Sequence, residues 1–162
     1  MAEAISNTSP IQYLHQTGLL DLLPALFARV VVPRAVMEEL AEGRGLGISL
    51  PDVTQLGRAD VCEIRSPAIR PLVRDLGPGE CEVLAMALER PGSRVPIDDW
   101  LARQVARSLH LPLTGTLGIL LRAKQVGHIH AVRPKLDELG ALGFRLDRHT
   151  RAAVLHLAGE SM

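Results

Sequence analysis

Short apolar runs alternate with stretches of helical periodicity along most of this chain, and that alternation restricts its fold more than any other feature. Residues 30–32 are three consecutive valines closed by Pro33. A β-branched run of that length reads as a strand, and the proline suits the first turn of a helix carrying Val36, Met37 and Leu40. The same step is read at residues 2–6, an apolar entry followed by Asn7, Thr8, Ser9 and Pro10. There Ser9 can cap a helix and Pro10 fits its first turn, with Ile11, Tyr13 and Leu14 inward and a stop near Gly18. The step recurs at residues 94–97, where the helix over 99–109 sets Leu101, Val105 and Leu109 on one face. It recurs again at 111–113, where Thr114-Gly115-Thr116 turns into an apolar helix over 117–126. Strands alternating with helices imply a parallel sheet covered on both faces, an α/β fold.

The remaining segments are read by the same rules. The glycines, Pro51 and weak periodicity of residues 43–60 indicate a loop before a strand at 61–64. A helix is placed over 67–76, against the presence of Pro71. A helix opening at Gly79 carries Val83, Leu84, Ala87 and Leu88, and terminal helices occupy 133–142 and 147–158, with residues 144–146 between them. At 162 residues with 47% apolar side chains, the chain is expected to form one domain over 1–162 with its own core. Lysine plus arginine equals aspartate plus glutamate at 18 each, so affinity for a polyanion must come from a local patch. Cys62 and Cys81 are too few and too far apart for a zinc ribbon, a CxxC site or a disulfide framework. With neither a signal peptide nor an apolar segment near the ~20 residues that span a bilayer, a soluble protein of the reducing cytoplasm is expected.

Three acidic stations stand out: Glu39 in AVMEEL, Glu80 in LGPGE, and Asp98-Asp99 directly after the apolar run 94–97. Each has an ordinary explanation. Asp98 can cap the helix that starts near Asp99, Glu80 suits the positive end of its own helix, and Glu39 can be a surface residue beside solvent-facing Glu38. Their combination is informative, because carboxylates brought together repel one another unless a divalent cation neutralises them. Oxygen donors without a Cys/His cluster suit Mg²⁺ or Mn²⁺. Ligands of parallel sheets gather outside the carboxyl ends of the strands, where Asn7, Asp98, Asp99 and Thr114 fall.

In their order and spacing, the segments ISNTSPIQYL, VVVPRAVMEEL, LGPGECEVLAMALE, VPIDDWLARQVARSLHLPLTGTLGILLRAKQVG and RPKLDELGALGFRL resemble the PIN-domain family, within it the branch of VapC-like toxins and predicted ribonucleases. The resemblance covers most of residues 5–146. It implies a three-layer α/β/α fold with a central parallel sheet and metal-dependent cleavage of single-stranded or structured RNA. By the match Glu39, Glu80 and Asp99 take the family's acidic positions, with Asp98 as helper or substitute. The first position, usually aspartate, is Asn7, which offers a carbonyl oxygen to a cation but no charge. Asn7, Glu39, Glu80 and Asp99 are then the expected ligands of Mg²⁺ or Mn²⁺, and Glu39, Glu80, Asp98 and Asp99 the catalytic set. Thr8, Ser9, Thr114 and Thr116 are candidates for binding phosphate or metal-held water, and Arg103, with Arg107 and Arg122, for contacting RNA phosphates. The resemblance also implies a small antitoxin protein as partner and a homodimer.

Rival assignments remain open. Asn7 marks the alternative of a PIN-like module that binds RNA or a protein without cleaving. A phosphoryl-transfer enzyme built on Asp98-Asp99 would need an aspartate at the first strand end. Gly43-Arg44-Gly45-Leu46-Gly47 follows a helix rather than a strand, the wrong context for a dinucleotide loop. His128 and His130 have no third ligand for zinc. Trp100 and Tyr13 are single aromatics, explained by core or groove-wall packing.

Overall fold

Val30, Val31 and Val32 are fully buried at the centre of strand β2 (Arg29–Pro33), as an uninterrupted apolar run is when both faces of a parallel sheet are covered. In the computed structural model, which describes residues 1–65 and 75–160, β2 lies between β1 (Glu3–Ile5) and β3 (Ala59–Cys62) and pairs with both in parallel. Strand β4 (Val95–Pro96) pairs in parallel with β5 (Leu113–Thr114). A parallel bridge between Ala4 and Arg94 joins the two ladders. It is reinforced by the Ile5 N–H on the Arg94 carbonyl at 2.9 Å and the Asn7 N–H on the Pro96 carbonyl at 3.1 Å. The order across the described residues is therefore β3-β2-β1-β4-β5.

This order contains a topological switch. From β1 the chain steps one way to β2 and β3, then returns to the other side of β1 for β4 and β5. Connections leaving a strand pair in opposite directions open a crevice beyond the carboxyl ends of those strands. Here the pair is β1 and β4, whose next residues are Ser6-Asn7 and Ile97-Asp98-Asp99.

Helices flank the sheet in the expected three-layer arrangement. Helix α1 (Thr8–Gln16) follows β1, then the short α2 (Leu22–Leu26) leads to β2 and α3 (Arg34–Gly45) to β3. Helix α4 (Pro78–Glu89) packs on β1, β2 and β4 and on α3, while α5 (Trp100–Ser108) connects β4 to β5. Helix α6 (Thr116–Gln125) packs against α1, α2 and α8 (Arg148–Leu157), with α7 (Arg133–Ala141) between α6 and α8 in sequence. Ile5, Ile11, Leu14, Leu84, Ile97 and Leu120 are among the fully buried side chains that fill the interior.

Several expectations are corrected. Strand β3 begins two residues earlier than the predicted 61–64, because Ala59 pairs with Val30 and Cys62 with Pro33, which ends the ladder before Ile64. The predicted loop over 43–60 includes the end of α3 and a single 3₁₀ turn at Val53–Gln55, held by Asp52 accepting from the Thr54 N–H at 3.0 Å. Helix α5 does not bury Leu101, which is 37% exposed; it rests on Ala102 and Ala106, both fully buried. Two alanines four apart let the backbone approach the sheet closely, a signal that a search for large apolar residues overlooks. Trp100 is 71% exposed and so serves neither core nor groove wall. The helix placed over 67–76 falls, except for its last two residues, outside the described residues.

Glu160 closes the structure after α8. Its carboxylate accepts from Lys124 Nζ at 2.9 Å and from the backbone N–H groups of Val132 at 2.7 Å and Arg133 at 3.1 Å. Burial alone would raise its pKa, but these donors together outweigh burial and hold it at about 2, against 4.5 for a free glutamate. A depressed carboxylate pKa stabilises the fold above the unfolded value and loses that contribution as pH falls toward the folded one. Glu160→Gln should therefore lower the melting temperature at neutral pH, with the gap to the unsubstituted protein closing between pH 4.5 and about 2. Thermal melts across that range check it, and a gap that stays constant with pH would contradict it.

Candidate functional site

The crevice beyond β1 and β4 is a cleft of about 420 Å³ whose floor carries Asn7, Thr8, Ser9, Glu80, Asp98 and Asp99. Asn7 is 3% exposed, and its Oδ1 is sealed from solvent with no hydrogen-bond partner among the described residues. Local sequence explains why. Asn7 occupies the N-cap of α1, whose side chain would ordinarily accept from the second or third helical N–H, yet it makes no capping bond. The third position is Pro10, which has no N–H to give. Ser9, expected as the cap, lies inside the helix and its hydroxyl turns instead to Asp98 Oδ2 at 2.9 Å.

The two adjacent aspartates divide their work in a way opposite to the expected capping. Asp99 is the N-cap of α5, its Oδ2 accepting from the Ala102 N–H at 2.8 Å. Asp98 reaches across to the start of α6. Its Oδ1 accepts from the Thr116 N–H at 2.8 Å and its Oδ2 from the Thr116 hydroxyl at 2.6 Å. Asp98 therefore joins the first turns of α1 and α6. Gly115 permits this approach, since a Cβ there would lie 3.0 Å from both Asp98 Oδ1 and Arg103 Nη1.

Glu39 stands behind the floor rather than on it. Its Oε2 accepts from the Thr8 hydroxyl at 2.6 Å and its Oε1 from the Gly79 N–H at 2.9 Å, which caps α4 beside Glu80. Glycine at 79 lets the carboxylate come this close, because a Cβ would sit 2.7 Å from either oxygen of Glu39 and displace it. The pairing is reciprocal: Glu82 of α4, which is buried, accepts from the Ala35 N–H in the first turn of α3 at 3.1 Å. Each helix thus supplies a carboxylate to the positive end of the other, a favourable match with the helix dipole. The cross-capping fixes Glu80 at the cleft.

Arg103 is directed away from the phosphate-binding role expected of it. Its Nη1 donates to the carbonyls of Ile97 at 2.7 Å and Thr114 at 3.2 Å, tying together the ends of β4 and β5. Burial, followed by the nearby Arg107, lowers its pKa against the opposing pull of Asp98. Thr114 does not line the cleft either; its side chain lies over Gly118 and borders a separate pocket that also contains Arg94 and Arg122. Thr116 meets the cleft through Asp98. Of the residues singled out in the sequence, the structure brings Asn7, Thr8, Ser9, Glu80, Asp98 and Asp99 together, sets Glu39 and Thr116 one bond behind them, and holds Arg103 and Thr114 apart.

The opposite wall was not foreseen. It is built from Gln12 and Tyr13 of α1 and from Gly143, Phe144 and Arg145 after α7. The one clue in the sequence was Tyr13, for which core or groove-wall packing was expected, and it lines the cleft.

Among the described residues no three His, Cys, Asp or Glu side chains converge closely enough to hold a cation by themselves. The orphaned Asn7 oxygen beside the aspartates does fit a cation that keeps much of its water. Mg²⁺ and Mn²⁺ sites of this kind use one or two carboxylates plus water and substrate oxygens. No curated protein matches the chain. A family model for the PIN domain, a group whose members are generally nucleases using divalent metals, matches residues 3–160. The chain therefore belongs to the PIN-domain family.

Proposed function

We propose that the protein is a Mg²⁺- or Mn²⁺-dependent ribonuclease that hydrolyses RNA phosphodiesters at the cleft beyond β1 and β4. The observation that carries the reading is the buried, unpartnered Asn7 Oδ1 beside Glu80, Asp98 and Asp99. An unpaired buried acceptor costs roughly 1–3 kcal/mol, a cost that a donor or cation in the cleft relieves. Asn7, Glu80 and Asp99 would hold the cation, with Glu39 acting through Thr8 and Asp98 held in place by Ser9 and Thr116. A divalent cation bound there supplies water activation and neutralises charge building on the phosphate. No side-chain nucleophile is required, and the hydroxyls of Thr8 and Ser9 orient carboxylates.

The same family likeness supports a toxin of a toxin-antitoxin pair, working in the cytoplasm as a single-domain chain, held by a small antitoxin protein and paired as a homodimer. A second reading, a PIN module that binds without cleaving, is favoured by Asn7 in place of the family's aspartate.

Cleavage of RNA by purified protein with Mn²⁺ separates the two. Asp99→Asn keeps an oxygen for the α5 cap but removes the charge, and should cut cleavage on the order of 100-fold or more with little change in stability. Equal cleavage by both proteins would identify a contaminant, and absent Mn²⁺ binding would favour the module.

A further inference from the structure

Two arginines without a structural partner share a pocket. Arg94 and Arg122 border a second hollow of about 420 Å³, between the end of α2, the start of β4 and α6, which has no lining residue in common with the cleft. Neither guanidinium makes an ion pair or hydrogen bond among the described residues, and no carboxylate lines the hollow. The acids close by in the chain are already engaged. Glu3, whose carbonyl accepts from the Arg94 N–H at 2.8 Å, turns its carboxylate to Arg90 at 2.9 Å and Arg29 at 3.6 Å. On α6, Glu160 pairs at 2.9 Å with Lys124 and not with Arg122.

The interior of this pocket is of another kind. Phe27 and Ile119 give it an apolar side, 8% and 2% exposed. Thr114 adds a hydroxyl that makes no hydrogen bond among the described residues. Gly118 makes room for that hydroxyl, since a Cβ there would lie 2.7 Å from Thr114 Oγ1. Glycine inside a helix costs stability relative to alanine. Here it keeps a hydroxyl and an open space beside two cations.

We propose that this pocket is a binding site for a phosphate monoester with a compact apolar body. Its phosphate lies on Arg94, Arg122 and the Thr114 hydroxyl, and its body lies on Phe27 and Ile119. A guanidinium pairs with phosphate oxygens through parallel N–H donors, which gives geometric fit as well as charge. Two such groups match the nearly double charge of a monoester, whereas a carboxylate brings a single charge. The volume falls within the roughly 300–1,000 Å³ of small-molecule sites, enough for one such molecule.

The test is isothermal titration calorimetry in EDTA, which keeps divalent cations out of the cleft, with phenyl phosphate, inorganic phosphate and benzoate as probes. Phenyl phosphate should bind about tenfold or more tighter than either of the others, since only it offers both the dianion and the ring. Arg94→Ala and Arg122→Ala should each weaken it about tenfold, with melting temperatures unchanged because both side chains are exposed and unpaired. Gly118→Ala, which helix propensity favours, should weaken it several-fold by crowding Thr114. Benzoate binding as tightly as phenyl phosphate would overturn the monoester assignment. No binding of phenyl phosphate at millimolar concentration, or equal binding by both arginine variants and the unsubstituted protein, would overturn the site itself.

Discussion

Asn7→Asp will bind Mn²⁺ about tenfold or more tighter than the unsubstituted protein, and without metal it will be the less stable of the two. Both effects follow from one position: a side chain 3% exposed with an oxygen that has no partner. A carboxylate adds the charge that the cation site lacks, and affinity for hard divalent cations rises with ligand charge. Without the cation, that carboxylate is buried beside Glu80, Asp98 and Asp99, and both burial and like charges raise its pKa. A carboxylate whose folded pKa is raised above its unfolded value destabilises the fold increasingly as pH rises past the unfolded value. The metal-free variant should therefore melt close to the unsubstituted protein near pH 4 and clearly below it at pH 8, with excess Mn²⁺ closing or reversing the difference. Isothermal titration and melts at the two pH values decide it; Mn²⁺ affinity unchanged by the substitution would remove residue 7 from the cation site.

Asp98→Ala should be the most damaging single change at the cleft. It removes the acceptor of three hydrogen bonds, from the Ser9 hydroxyl and from the N–H and hydroxyl of Thr116. Bonds to an ionised acceptor contribute roughly 1.5–3 kcal/mol each but not additively, so a loss of about 3 kcal/mol is expected after relaxation. Cleavage should fall with it, because the first turns of α1 and α6 lose their common anchor. Asp98→Asn retains one acceptor oxygen and should recover about half of the stability. Urea unfolding of the three proteins measures the ordering, and an alanine variant as stable as the unsubstituted protein would show that the Asp98 bonds are not formed in solution.

Much of the fold was legible because the strongest cues were unambiguous. Three valines closed by Pro33 can hardly be other than a buried strand running into a helix, and Gly79 followed by Val83, Leu84 and Ala87 fixes α4. The face of α5 escaped because its contact is made by Ala102 and Ala106, whose packing comes from smallness rather than hydrophobic bulk. At the cleft, the acidic stations were visible as residues but their division of labour was not. Which of Asp98 and Asp99 caps α5 depends on a backbone rotation between neighbours that no spacing rule encodes. Arg103 was misplaced because a helical arginine beside aspartates looks like a phosphate ligand, until strand-end carbonyls turn out to be nearer. The pairing of Tyr13 with Phe144 could not be read, since it joins segments 131 residues apart through a single ring contact.

The Ser9–Asp98 bond joins positions 89 residues apart, and the seam between β1 and β4 spans a similar distance. A chain growing on the ribosome carries Asn7 and Glu39 long before the segment that completes their cleft has left the exit tunnel. Such distant pairings are also slow to find. A chain not yet extended past Thr116 therefore lacks the junction that Asp98 makes between the first turns of α1 and α6.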